Sequence, residues 1–248
     1  MTDADRIRLT FTDRHGSGES AKDGSQPAGV PPGSRYGGFN LGLYVGDDAD
    51  AVAARRRELG PRVVFMNQVH GRRVVVVDRD PQTPFEATDG LVTRRPGLAL
   101  AVLVADCLPV LLFEPEVEVV GCVHAGRRGI QRGVLDATLE AIESCGGRAD
   151  RVLAWIGPSI GPCCYEVPAA MRDDVAAQIP EAAARTSWGT PALDLRAAAA
   201  AQLRRAGVPR ISVSGVCTAE SADHYSYRRD GLTGRFAGVI ELLPEGVS

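Results

Sequence analysis

The chain has 248 residues, enough to bury one sizeable core, and its composition is that of an ordinary globular protein, 44% hydrophobic and 24% charged. A formal net charge of −3 gives no electrostatic reason to expect nucleic-acid or membrane-surface binding. Of 28 basic residues only Lys22 is a lysine, and it stands in a Gly/Ser-rich stretch, which argues against Schiff-base and P-loop chemistry.

In chain order, the first ten residues show no basic region leading into an apolar one, so no export signal is read. Arg6–Thr12 alternates as a strand does. Residues 16–37, rich in Gly, Ser and Pro, read as a flexible surface loop, either an insertion or a lid. Asp48 caps an expected helix over Ala49–Leu59. Val63–Asn67 and Val74–Asp78 read as strands flanking a bend at Gln68-Val69-His70-Gly71. Leu98–Val104, Val110–Phe113 and Val117–Val123 form a near-continuous apolar, β-branched set, as buried strands do. Asp106, Cys107 and Pro109 interrupt it, so it is no membrane span.

A helix over Ile130–Ser144 is predicted from one apolar face ended by Gly146-Gly147. Val152–Ile156 is a further strand, and Pro168 opens a helix running to about Ile179. Asp194 caps an alanine-rich helix that Gly207 ends, and Ile211–Val216 and Phe236–Leu242 complete the strands. Strands in runs, with fewer helices and no second linker, predict a single α+β domain over 1–248 with mixed sheets flanked by helices. Six cysteines without a regular framework read as reduced thiols of a cytoplasmic protein.

Four histidines are present, at 15, 70, 124 and 224. His70 and His124 lie at strand-to-loop transitions beside glycine, and Cys107 sits where one strand runs out before Pro109. A thiolate with two imidazoles suits zinc, and three protein ligands leave a fourth tetrahedral position open. The intervals match no short metal motif, so two core histidines with an inert buried thiol remain the alternative. Gly126-Arg127-Arg128-Gly129 leads into a helix start, where backbone N–H groups and Arg128 suit an anion such as phosphate; a solvated arginine pair is the plainer reading. Tyr225-Ser226-Tyr227-Arg228-Arg229 either orients a planar substrate or covers a core edge.

These residues carry a resemblance. Asn40-Leu41-Gly42, Asn67-Gln68-Val69-His70-Gly71, Thr88-Asp89-Gly90-Leu91-Val92-Thr93, Ala105-Asp106-Cys107-Leu108-Pro109, His124-Ala125-Gly126, Tyr165-Glu166-Val167 and Ser226-Tyr227-Arg228-Arg229 occur in the order of the YfiH-like family. That family is labelled multicopper polyphenol oxidase or laccase-domain, and also described as purine nucleoside phosphorylase and peptidoglycan editing factor. The resemblance implies a fold similar to cytotoxic necrotizing factor catalytic domains, and His70, Cys107 and His124 as ligands of zinc, with copper as an adventitious occupant. It also implies that Asn40 and Arg56 line a substrate pocket. The chain departs from the family at Arg127, where Trp is usual, at Arg55, where Asn is usual, and in the helix after Asp194, which lacks an expected Asn.

Laccase chemistry is excluded by counting, since a type 1 copper and a trinuclear cluster use roughly ten histidines. What the resemblance implies is phosphorolysis of adenosine, inosine, guanosine or methylthioadenosine to base and ribose 1-phosphate, with adenosine deamination as a second activity. The expected partners are thus a nucleoside and phosphate, without nucleic acid or membrane. Two readings of other kinds stand beside it. One is a cysteine amidase that edits peptidoglycan precursors, with Cys107 as nucleophile and His124 as base. The other is a binding module presenting the Tyr225–Arg229 surface.

Overall fold

The structure, a computed structural model, describes residues 6–16, 35–79 and 84–244. Most of the predicted 16–37 loop lies outside these residues. β1 (Ile7–Phe11) precedes α1 (Ala49–Glu58), whose cap is Asp48, its carboxylate accepting the Ala51 N–H at 2.8 Å. Short strands β2 (Val63–Val64), β3 (Val74–Val76) and β4 (Gly90–Thr93) lead to the longer β5 (Ala99–Val104), β6 (Leu108–Glu114) and β7 (Val119–Ala125). Helices α2 (Arg127–Gln131) and α3 (Val134–Ser144) follow, then β8 (Leu153–Ile156), α4 (Ala169–Gln178), β9 (Ala183–Arg185) and β10 (Pro191–Leu193). The chain closes with α5 (Leu195–Arg205), β11 (Arg210–Val213), the short α6 (Tyr227–Asp230) and β12 (Phe236–Leu242).

Two mixed sheets carry the fold. One has the order β1-β12-β5-β2, antiparallel except for the parallel β2–β5 edge. The other has the order β11-β8-β6-β7-β4-β3, with parallel pairs at its two edges. β9 and β10 form a separate antiparallel pair.

Strand periodicity explains the layering. Along β5, Leu100, Val102 and Val104 face the second sheet and meet Leu111, Phe113, Val120 and Phe236 between the sheets. The intervening Ala99 and Ala101 face outward, where Phe39, Leu41 and Leu59 cover them. Along β6, Leu111 and Phe113 point into the sandwich, while Leu108, Val110 and Leu112 pack against Leu135, Leu139, Ala199 and Leu203 of α3 and α5. Both faces of β6 are therefore buried, the physical reason for its unbroken apolar run.

The predicted helix over Ile130–Ser144 is in fact two. It begins earlier, at Arg127, and breaks at Gly133, which adopts the left-handed conformation at φ 77° and starts α3 afresh. β4 has no counterpart among the predicted strands: four residues opening on glycine carry no alternation, because both faces of this strand are buried, Leu91 in the core between the sheets and Val92 in the core under the helices. The Val63–Asn67 strand contracts to Val63–Val64, with a single bridge from Met66 to Phe85. No helix among the described residues is long and apolar enough to cross a membrane.

A side chain at 133 must enter left-handed space, and its Cβ would approach Asp136 Oδ2 to 3.1 Å. Gly133→Ala is predicted to lower unfolding stability in urea by about 1–2 kcal/mol. An unchanged midpoint would show that the helix break does not depend on this conformation.

Candidate metal centre and cavity

Sheet register brings three distant residues together. β6 and β7 pair with Pro109 opposite His124, so Cys107, just ahead of β6, lies beside the end of β7. β7 also pairs with β4, Gly90 opposite Val123, which places Asp89 next to His124; the His124 N–H donates to the Asp89 carbonyl at 2.8 Å. β3 runs parallel to β4, and the bend ahead of β3 carries His70 back to the same point.

Asp89 fastens the assembly. Its side chain is fully buried, and its carboxylate accepts the backbone N–H of His70 at 2.9 Å and of Gly71 at 2.7 Å. The ring nitrogen His124 Nδ1 donates to the same carboxylate at 2.8 Å, which leaves Nε2 as the nitrogen available for a ligand. The bend it holds is strained: His70 has φ 59°, in left-handed space that a β-substituted residue rarely enters. Asp106, beside Cys107, has φ 91° and is fixed by the Thr218 hydroxyl at 2.7 Å and the Arg228 backbone N–H at 2.6 Å.

The donor atoms of His70, Cys107 and His124 all lie within 4.8 Å of one another. Cys107 Sγ is 3.6 Å from His70 Nε2. Bonds of ~2.3 Å to sulfur and ~2.05 Å to nitrogen at a tetrahedral centre require a separation of about 3.6 Å. The residues present thus fit a tetrahedral divalent cation in donor type and in spacing. Gly126 makes room for them, since a Cβ there would stand 2.7 Å from His70 Cδ2 and 3.1 Å from Cys107 Sγ. His124 is buried, Cys107 half-buried and His70 exposed, so the set opens on one side.

Without a cation the same groups hold a proton between them. Burial works against the Cys107 thiolate, but His124 and then His70 outweigh it, and the thiol falls from 9.0 to about 6. For His124 burial opposes the charged form, but the Cys107 thiolate and Asp89 raise it to about 9. Burial would push Asp89 up, yet its hydrogen bonds to His124 and the backbone hold it below the usual carboxylate range.

The three donors lie on the wall of a cavity of about 590 Å³, which Arg56, Arg228 and Arg235 also line. None of the three arginines has a carboxylate ion-pair partner among the described residues. Arg56 donates to the Leu41 carbonyl at 2.8 Å, lies over the Phe65 ring at 4.1 Å, and is drawn down to about 10 by burial. Arg228 holds the Cys164 and Glu166 carbonyls, and Arg235 the Thr233 and Gly234 carbonyls. Asp106, the one carboxylate in the lining among the described residues, is already engaged. Cationic groups on a partly apolar wall, with no carboxylate paired to them among the described residues, make this a candidate anion site. Tyr44 and Tyr227, both largely exposed, stand at the same cavity and offer aromatic faces.

The predicted site residues divide. His70, Cys107, His124 and Arg56 meet at the cavity. Asn40 does not line it: the side chain is fully buried, its Oδ1 accepting the Gly42 and Arg235 N–H groups and its Nδ2 donating to Asp47. It positions two residues that do line the cavity. Arg128 also stands outside the lining and is exposed, on an α2 that starts three residues earlier than predicted. Of the tail segment, Tyr225 is core, donating to the Gly37 carbonyl at 2.9 Å, whereas Tyr227 reaches the cavity. Arg55, at a family-variant position, is buried and pairs with Asp47 at 2.8 Å. Asp89 and Arg235 are site residues that the sequence does not single out, although both stand in segments shared with the family, Thr88-Asp89-Gly90 and Thr233-Gly234-Arg235.

The remaining histidines do not enlarge the centre: His15 pairs with Asp223, and His224 with Ser221 against the Phe236 ring. This fold and site define a class, and the comparisons name it. A family model described as multi-copper polyphenol oxidoreductase laccase matches residues 25–243. Purine nucleoside phosphorylases of Streptomyces griseus and Streptomyces coelicolor are 48% and 50% identical to the chain, each aligned over 94% of both proteins. The crystal structure of YlmD from Geobacillus stearothermophilus superposes with a TM-score of 0.85 at 32% identity, covering 98% of this chain and 94% of that one. YfiH of Bacillus licheniformis gives 0.81 at 31% identity, over 95% and 92%. The chain belongs to this laccase-like YfiH family.

A low thiol value makes a direct prediction. In protein stripped with a chelator, alkylation of Cys107, read from its peptide by mass spectrometry, should rise with pH around a midpoint of about 6. A midpoint near 9 would show that the two rings do not bear on the sulfur.

Proposed function

We propose that the chain is a zinc-dependent purine nucleoside phosphorylase, and the observation that carries this is a three-donor centre sharing one cavity with three arginines that have no carboxylate partner among the described residues. A cavity of about 590 Å³ suits a nucleoside with a phosphate beside it. The names of the Streptomyces relatives support the same reading.

His70, Cys107 and His124 hold the cation; when bound, it supplies Lewis acidity, which suits orientation of phosphate and also activation of water. Arg56, Arg228 and Arg235 bind the phosphate dianion by charge-assisted hydrogen bonds. Tyr44 and Tyr227 present faces on which a purine stacks. In the reaction a phosphate oxygen forms a bond to C1′ as the C1′–N9 bond breaks. The electron pair leaves with the purine, which takes up a proton, and ribose 1-phosphate remains. The arginines hold the nucleophile in line and spread its charge. Deamination of adenosine, in which water adds at C6 and the amino group leaves as ammonia to give inosine, is the second activity of the same cavity. Free cysteines suit a reducing cytoplasm as its location.

One observation favours a second reading. Cys107, His124 and Asp89 line up as thiol, imidazole and carboxylate, the order of a cysteine hydrolase. Such an enzyme would cleave an amide, as in peptidoglycan precursor editing, and would keep its activity after chelation.

Cys107→Ser is predicted to lower nucleoside phosphorolysis roughly 100-fold or more with the fold intact by circular dichroism. Arg56→Met should raise the KM for phosphate about 10–100-fold, the loss of one hydrogen bond to a charged group. Full phosphorolysis in Cys107→Ser, or activity untouched by chelator, would overturn the assignment.

A further inference from the structure

We propose that Cys163, Cys164, Cys217 and Glu220 form a second cation site, one that takes a soft divalent metal of the zinc class and ties together two loops behind the cavity wall. Among the described residues two groups of side chains converge with metal-ligating geometry, and this is the one that the proposed reaction does not use. Its four donor atoms lie within 4.8 Å of one another. A tetrahedral zinc with ~2.3 Å bonds to sulfur separates its ligand sulfurs by ~3.8 Å, so only small side-chain adjustments close the set. Three sulfurs and one oxygen make a full coordination shell, a closed structural arrangement in contrast to the three-donor centre.

Topology builds the cluster. β8 and β11 are parallel neighbours, so the loops leaving their ends run side by side, with Ser159 bridged to Cys217. The Thr218 N–H donates to the Ser159 carbonyl at 3.0 Å, and Arg196 of α5 grips both loops at Ser159 Oγ and the Ser214 carbonyl. A tight turn then closes from the Cys164 and Tyr165 N–H groups onto the Gly161 carbonyl, at 3.1 and 3.0 Å, and brings the adjacent cysteines round to Cys217.

Several details suit a thiolate centre. The Gly161 N–H donates to Cys217 Sγ at 3.3 Å, the kind of backbone contact that supports a ligating sulfur. A Cβ on Gly161 would stand 3.1 Å from Cys163 Sγ and 3.6 Å from Cys217 Sγ, so this glycine makes room for the sulfurs as Gly126 does at the other centre. Cys163 Sγ donates to Glu220 Oε2 at 3.5 Å, and a cation would replace that shared proton. Cys217 is buried, Cys163 and Cys164 are half-buried and Glu220 is exposed, which leaves an entry path from solvent.

The position gives the site a purpose. Thr218, next to Cys217, fixes Asp106 beside Cys107, and the Cys164 carbonyl holds Arg228 in the cavity. A cation here would lock the two loops that carry those contacts.

The test measures zinc per chain after equilibration with buffered zinc and reductant in the wild type, in Cys107→Ser, and in Cys163→Ser/Cys164→Ser. Two, one and one equivalents are expected. One equivalent in the wild type with none in Cys107→Ser overturns the second site, whereas none in the double variant indicts the first centre instead. Should the double variant fail to fold, cobalt added to Cys107→Ser decides alone: strong near-ultraviolet thiolate-to-cobalt bands support the site, and their absence refutes it. A Cys163–Cys217 disulfide that gains no zinc on reduction refutes it as well.

Discussion

The Asp89 carboxylate is the constraint on which the site depends. It reaches three elements at once, taking the N–H groups of the His70 bend and the ring of His124 while β4, which it directly precedes, pairs with β7. Without it the bend has no reason to keep His70 in left-handed space, and the His124 ring has no fixed nitrogen to present. A fully buried carboxylate is costly unless satisfied, and this one is satisfied by the groups that it orients. The same bonds that make its burial tolerable therefore fix the geometry of the donors.

Around that point the fold acts as a rigid frame. The β5 and β6 strands are packed on both faces, so neither can slide without exposing a full row of apolar side chains. Cys107 lies in the short connection between them, and its position inherits their precision. Arginines come from other places, Arg56 from α1, Arg228 from α6 and Arg235 from the turn before β12, so these three meet at the cavity only when the chain closes on itself. Asn40 contributes by holding Arg235 and Gly42 in place without entering the cavity.

Strand runs, helix caps at Asp48 and Asp194, and the three metal-binding candidates could be read from residue pattern and family resemblance, because burial on two faces and capping leave local marks. What was illegible is non-local or conformational. Gly133 breaks a helix through its positive φ, which periodicity does not register. Arg128 is exposed on α2 and outside the cavity lining, an orientation that residue type and position do not reveal. Asp89 gave only its type and its neighbours, and its role depends on strand pairing. The cysteine cluster has the same character: Cys163 and Cys217 are far apart in sequence and meet only because β8 and β11 lie side by side.

The most direct measurement is the free-zinc concentration that protects Cys107 from alkylation, compared between the wild type and Asp89→Asn. A protection midpoint raised about 10–100-fold is expected in the variant, since the amide cannot accept the backbone N–H groups and the imidazole together. An unchanged midpoint in a folded Asp89→Asn protein would contradict this role of Asp89, because His70 and His124 would then keep their places without the carboxylate.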